Sequence, residues 1–261
     1  MCSEGTCVSL SPCGEVTCQP VDQLHIRAKS LVAGFKLGRG TTSCTDEAID
    51  LDREALELCP HGHPKRSVSL TLLAIHLSDR YGQLGTMKDL EEAIVLDREA
   101  LILRPQGHPD RSTSLNHLAN CLSTRYDRLG GMEDLVEAIA LDREALSLFP
   151  QGHPDQSISL NNLAAHLSIR YEQLGGMEDL DEAILLDRAA LVFRPHGHPL
   201  RSSSLNNLAN RLSTRYKLFG AMEDLDEAIV LVREVLGLCP RGRPLRSRFL
   251  NSLANRLTTR Y

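Results

Sequence analysis

The chain repeats itself every 45 residues. The dipeptide Arg-Tyr occurs at 80–81, 125–126, 170–171, 215–216 and 260–261. The same step relates Pro60, Pro105, Pro150, Pro195 and Pro240, and also Ala48, Ala93, Ala138, Ala183 and Ala228. One unit, Pro154 to Gly197, reads PDQSISLNNLAAHLSIRYEQLGGMEDLDEAILLDRAALVFRPHG. A period this regular specifies copies of one supersecondary unit, none of which buries its apolar face alone. The usual estimate of domain number from the 261-residue length therefore does not apply.

Each unit carries two helical patterns. In the first, Leu160, Leu163, Ala164, Leu167 and Tyr171 follow a 3-4 spacing and form one stripe. In the second, Leu180, Ala183, Ile184, Ala190 and Leu191 share a face. Glu178, Asp179 and Asp181 crowd its first turn, where carboxylates suit the positive end of a helix. Gly175 and Gly176 separate the two helices, and Pro195, Gly197 and Pro199 separate one unit from the next. Aromatic residues are only 4% and tryptophan is absent, so Leu and Ala do the packing.

These patterns predict an all-α fold, a right-handed α-solenoid of antiparallel helix hairpins. Eleven helices are expected. A degenerate first hairpin spans about 24–58, with Ala28, Leu31 and Phe35 standing in for Ala74, Leu77 and Tyr81 after a one-residue shift. Four regular hairpins end near 104, 149, 194 and 238, and a single helix covers 246–261. Residues 1–23, with Cys2, Cys7, Cys13 and Cys18, are expected to form a disordered tail ahead of the array at 24–261.

The formal net charge is −5 and the pI near 6.1, without the basic excess of a dedicated nucleic-acid binder. No apolar run approaches the roughly 20 residues of a membrane span. The start, Met1-Cys2-Ser3-Glu4, has neither a basic region nor an apolar core like a secretory signal. The eight cysteines form no framework, since Cys44, Cys59, Cys121 and Cys239 stand where other units carry other residues. A reducing, cytoplasmic setting is the expectation.

The Leu-x-x-Leu-Ala step in the first helix, with Ala opening the second, resembles a tetratricopeptide repeat. The run HPxxxxSLNNLA, at His153–Ala164 and His198–Ala209, resembles the long kinesin-light-chain variety. The unit with RYxxLGxMEDLDEAI is similar to repeat arrays of fungal proteins, which accompany caspase-like CHAT protease or nucleotide-binding domains. The resemblance covers roughly 24–261. It implies that the first helix of each unit lines a concave groove. At the position where the common repeat has an aromatic, four residues after the second-helix alanine, this chain has Asp52, Asp97, Asp142 and Asp187, then Val232.

The groove expectation falls on Asn116, His117, Asn120, Asn161, Asn162, Asn206, Asn207, Asn210, Asn251 and Asn255. An amide carries donors and an acceptor without charge, so a ladder of them can pair with a peptide backbone whatever its side chains. The same residues could instead bridge neighbouring helices. The repeated Asp lies at the centre of the second-helix apolar face and must be hydrogen-bonded there. Asn161 and Asn206 are the expected donors to Asp187. Four copies at a fixed spacing read as structural rather than catalytic. Arg80, Arg125, Arg170 and Arg215 end the first helices and read as capping or surface residues.

His63, His108, His153 and His198 sit in the connections, with His61 and His196 adding His-x-His. Each connection offers at most two imidazoles, below the three or four ligands of a zinc site, so they read as turn residues. The stretch Gly34–Thr42 lacks phosphate-loop spacing. No metal, cofactor or catalytic residue is expected.

The function expected is a non-enzymatic protein–protein interaction scaffold that takes a partner peptide or helix. The alternatives are a sensor fragment of a larger signalling protein whose effector domain lies elsewhere, and, less favoured, a metal-binding or hydrolytic protein. Neither nucleic acid nor membrane is an expected partner. The terminal helix, with its stripe Leu250, Leu253, Ala254, Leu257 and Tyr261, is expected to leave apolar surface for self-association.

Overall fold

The computed structural model describes residues 19–36, 43–150, 152–239 and 244–260. Most of the expected tail with its four cysteines, the 37–42 part of the glycine-rich stretch, the Phe35 side chain, Pro240 and Tyr261 lie outside the described residues. Eleven α-helices and no strand are found among the described residues. They are α1 (Gln19–Lys36), α2 (Ser43–Glu57), α3 (Arg66–Leu84), α4 (Met87–Ile102), α5 (Arg111–Leu129), α6 (Met132–Ser147), α7 (Gln156–Leu174), α8 (Met177–Val192), α9 (Arg201–Phe219), α10 (Met222–Leu238) and α11 (Pro244–Arg260). The fold is all-α and built of helix hairpins. Helix α1 starts at Gln19, earlier than the expected 24.

The chain divides into two compact units, Met1–His117 and Leu118–Tyr261. In the first, Ala28 and Val32 of α1 pack with Ala48 and Leu51 of α2. Val32 takes the buried place expected for Leu31, which is only partly covered. In α3 and α4, Leu70, Leu73, Leu77, Leu90 and Ile94 form the buried stripe. Full burial of each such side chain contributes roughly 1.5–3 kcal/mol.

In the second unit, Leu163, Ala164 and Leu167 of α7 pack with Leu135 and Ile139 of α6 and Ala183 of α8. Leu208, Ala209 and Leu212 of α9 pack with Leu180 and Ile184 of α8 and with Ala228 and Val232 of α10. The 3-4 stripes read from the sequence are these buried faces, although Tyr171 and Leu191 are only partly covered. On α11 the stripe is less enclosed. Leu250 is 48% exposed, whereas Leu205 one period earlier is 1% exposed.

The hairpin turn follows from one glycine. Gly175 closes α7 at φ 73°, and its N–H donates to the Tyr171 carbonyl at 2.7 Å. An L-residue is disfavoured in this left-handed conformation, so the turn selects glycine. Between hairpins, the connecting histidines have a local task. Nδ1 of His63, His108, His153 and His198 accepts the N–H of Lys65, Asp110, Asp155 and Leu200 respectively. They are turn residues, as their spacing indicated. Just past each of these second helices a backbone carbonyl accepts from an arginine in the first turn of the next helix: Cys59 from Arg66, Arg104 from Arg111, Arg194 from Arg201 and Cys239 from Arg246.

Candidate functional site

The repeated aspartates are fully buried, so the helix phase assigned to them holds. Their partners differ from those expected. Nδ1–H of His76 donates to Asp52 at 2.5 Å, that of His117 to Asp97 at 2.6 Å and that of His166 to Asp142 at 2.6 Å. Asp187 takes Arg211 instead, not Asn161 or Asn206. A cation or imidazole offsets a buried carboxylate better than a neutral amide does. His76, His166 and Arg211 stand at the same position of successive first helices. At Asp97 that position is Cys121, and the imidazole comes from one turn earlier, at His117.

Burial dominates the ionisation of Asp97, Asp142 and Asp187. It raises Asp97 and Asp142 above the usual carboxylate range, the hydrogen bonds from His117 and His166 offsetting only part of the shift. Asp187 is raised to about 6 by burial, against the attraction of Arg211 and Arg194. His76 and His166 are 3% and 4% exposed, so these dyads are sealed from substrate and serve the hairpin joints.

The Arg of each Arg-Tyr dipeptide is also more than a cap. Arg80, Arg125, Arg170 and Arg215 each grip the first-turn Asp of the following helix with Nε and Nη2, at 2.6–2.8 Å: Asp89, Asp134, Asp179 and Asp224. Arg80 and Arg215 reach back as well, to Asp46 and Asp181 at 2.9 Å. These contacts hold the Arg80 and Arg215 guanidiniums well above their ordinary pKa. Arg53–Glu92, Arg143–Glu182 and Arg188–Glu227 link successive second helices.

The amide residues divide by surroundings. In the first unit, Asn116 is buried and His117 is engaged with Asp97, so neither offers an unoccupied side chain to the outside. In the second unit, Asn120, Asn210, Asn251 and Asn255 are exposed, and Asn161, Asn162, Asn206 and Asn207 are half-buried. Asn161 accepts from Nη1 of Arg194 at 3.2 Å, and Asn210 accepts from Nη2 of Arg256 at 2.8 Å. These two bridge helices. Nδ2 of Asn162 is buried with no acceptor.

Two cavities open beside the first helices of the second unit. One, of about 190 Å³, is lined by Ser168, Tyr171, Glu172, Leu180, Asn207, Asn210, Arg211 and Thr214. The other, of about 320 Å³, is lined by Asn210, Ser213, Thr214, Tyr216, Lys217, Leu225, Ser252, Asn255, Arg256 and Thr259. Both expose amide, hydroxyl and guanidinium groups, beside apolar wall that makes up about half of the larger one. Such walls can hold a ligand by hydrogen bonds and charge. The asparagine ladder pointed to this region, but Arg211, Arg256 and Lys217 were not among the residues read as its lining. The signal for the two arginines is the change at one repeat position from His76 and His166 to Arg211 and Arg256, and that for Lys217 is the change from Glu172.

Residues 201–242 match the family model described as a tetratricopeptide repeat. Among solved structures, the chain is similar to a putative kinesin light chain with nearly identical TPR-like repeats from Podosopora anserina. The two are 21% identical over 81% of this chain and 95% of that one, with a TM-score of 0.55. It is also similar to a thermophilic TPR protein of Thermus thermophilus, 19% identical over 88% of this chain and 99% of that one, with a TM-score of 0.60. A third likeness is BtubC (BKLC) from P. vanneervenii, 17% identical over 88% and 96%, with a TM-score of 0.55. At such identities the likeness is one of fold. No curated protein matches the chain.

Proposed function

For a helix-hairpin array of tetratricopeptide type, similar to kinesin-light-chain-like repeats, we propose the role of a protein-interaction scaffold. It binds a peptide or helical segment of a partner along the amide-bearing side of the first helices. The observation that carries this reading is the placing of Asn207, Asn210 and Asn255 on the walls of the two cavities beside α9. Uncharged donors and acceptors on rigid helices suit a peptide backbone, whose affinity then depends little on its side chains. The scaffold acts by binding, and the Asp52–His76 and Asp142–His166 pairs, buried and closed to substrate, serve the fold.

We place the protein in the cytoplasm. No described helix is long and apolar enough to cross a membrane, and Cys44, Cys59, Cys121 and Cys239 form no disulfide. The reading includes self-association through α11, where Leu250 is half exposed.

Selection of peptides from a random library on the immobilised protein tests the scaffold role. Enriched peptides should lose affinity when Asn207 and Asn255 are replaced by Ala in a protein that still melts like the parent. Enrichment of no sequence, or binding indifferent to both replacements, sinks the reading.

A further inference from the structure

Arg256, on α11, is 8% exposed, and it is the 45-residue counterpart of Arg211. Arg211 lies against the carboxylate of Asp187. The counterpart of Asp187 is Val232, which is fully buried, and among the described residues no carboxylate pairs with Arg256. Its bonds go to neutral acceptors instead. Nε donates to Ser213 Oγ at 2.7 Å, Nη1 to the carbonyl of Ser252 at 3.1 Å and to its hydroxyl, and Nη2 to Asn210 Oδ1 at 2.8 Å. Nη2 has two N–H bonds, so one is left for a further acceptor. Burial lowers the Arg256 pKa, and no acidic neighbour opposes that shift. A buried cation balanced only by neutral dipoles gains strongly from an incoming anion.

The roughly 320 Å³ cavity on which Arg256 lies is equipped for one. The exposed Lys217 adds a second cation, the Nδ2 groups of Asn210 and Asn255 supply further donors, and no acidic side chain lines the cavity. The cavity one period earlier provides an internal comparison. There Glu172 occupies the position of Lys217, and Arg211 is already matched by Asp187. The same scaffold position has thus changed from one cation facing two carboxylates to two cations facing none.

We propose that the cavity between α9 and α11 binds a phosphate monoester, held by Arg256 and Lys217 with the side-chain amides of Asn210 and Asn255 donating to its oxygens. A phosphate monoester carries about −1.5 to −2 charge at pH 7 and three acceptor oxygens, which matches two cations and several donors. A carboxylate brings one charge and leaves half of the site unbalanced. The monoester can belong to a phosphorylated small molecule or to a phosphoserine of a bound segment. The second source rests on the scaffold reading, whereas the first does not.

Calorimetric titration at constant ionic strength tests the site with phenyl phosphate, benzoate and a short neutral peptide bearing one phosphoserine. Phenyl phosphate should saturate the parent protein, and benzoate should bind about tenfold more weakly or worse. Val232→Asp supplies Arg256 with the carboxylate that Arg211 already has, and Lys217→Glu recreates the neighbouring cavity. Each should weaken phenyl phosphate at least about tenfold. Lys217 is on the surface, so that variant keeps the test valid if Val232→Asp disturbs folding. Tighter binding of the phosphopeptide than of phenyl phosphate assigns the monoester to a partner segment, and equal binding assigns it to a small molecule. Phenyl phosphate has no peptide backbone, so its result is independent of whether the asparagine face takes peptides. No saturation below about 10 mM, equal binding of benzoate, or unchanged affinity in a folded Lys217→Glu protein overturns the proposal.

Discussion

His166 donates from Nδ1 to the carboxylate of Asp142 at 2.6 Å, across the joint between one hairpin and the next. Both side chains are buried, at 4% and 0% exposure. The bond therefore ties α7 to α6 alongside the apolar packing of Leu163 and Leu167 with Leu135 and Ile139.

Removing one partner of this bond should cost more than removing both. Asp142→Ala leaves the His166 N–H buried without an acceptor and opens space in the core, and should destabilise the protein by about 3 kcal/mol. Asp142→Val combined with His166→Leu should come within about 1 kcal/mol of the parent, since an apolar pair of similar volume often replaces a buried polar pair without loss. Val232 shows that the fold already accepts an apolar residue in this slot. Urea unfolding of Asp142→Val, His166→Leu and the double variant provides the cycle. A double variant whose loss equals the sum of the two single losses would mean that the bond contributes nothing.

Asp187 should make part of the stability depend on pH. Its carboxyl is raised from 3.8 in the unfolded chain to about 6 in the fold, chiefly by burial. Between those values the folded chain keeps a proton that the unfolded chain has released. Its contribution is therefore full below 3.8 and is lost as pH rises through about 6. The loss is on the order of 3 kcal/mol. Asp187→Asn does not titrate, so the stability difference, parent minus variant, should fall across this window. A difference that stays flat from about pH 3.5 to 7 contradicts the assignment.

The asparagine face should be separable from the fold. Asn207 and Asn255 line cavities. Replacing either with Ala should leave the melting temperature near that of the parent and weaken a selected peptide by about 0.5–1.5 kcal/mol per lost hydrogen bond. Asn210→Ala should weaken the peptide and also lower the melting temperature, because Asn210 also accepts from Arg256. Thermal melts paired with peptide titrations distinguish the two classes.

The Arg-Tyr arginines should matter through their forks. Arg170 grips Asp179 with two bonds while about a quarter exposed itself. Arg170→Lys keeps the charge but loses the planar fork, and should cost about 1 kcal/mol after allowance for solvent screening. Guanidinium denaturation screens the pair, so the comparison belongs in urea. A Lys variant as stable as the parent would show that charge alone suffices.

The sequence was legible wherever one rule repeats. The 45-residue period, the 3-4 stripes and the glycines between helices describe the hairpins. The burial of Leu160, Leu163, Ala164 and Leu167 follows from spacing alone. The helix phase also placed the repeated aspartates inside. The expected amide partners of Asp187 were displaced because contact between hairpins depends on which turn of the next helix arrives opposite. His166 and Arg211 stand 24 residues beyond their aspartates, whereas His117 stands 20 beyond Asp97. No propensity or spacing rule within one helix reports that choice.

What the sequence determined by itself is the local and the periodic: which residues are helical, where each hairpin turns, and which face is apolar. These follow from backbone conformation and from 3.6 residues per turn, both of which act within a few residues. Tertiary structure alone decided the polar pairings. It joined Arg80, Arg125, Arg170 and Arg215 to the first-turn aspartate of the following helix, drew Asn161 and Asn210 into bridges, and gave Arg256 neutral acceptors rather than a carboxylate. Hydrogen bonds and charges act over a few ångströms between residues far apart in the chain, so their partners are settled only when the hairpins pack.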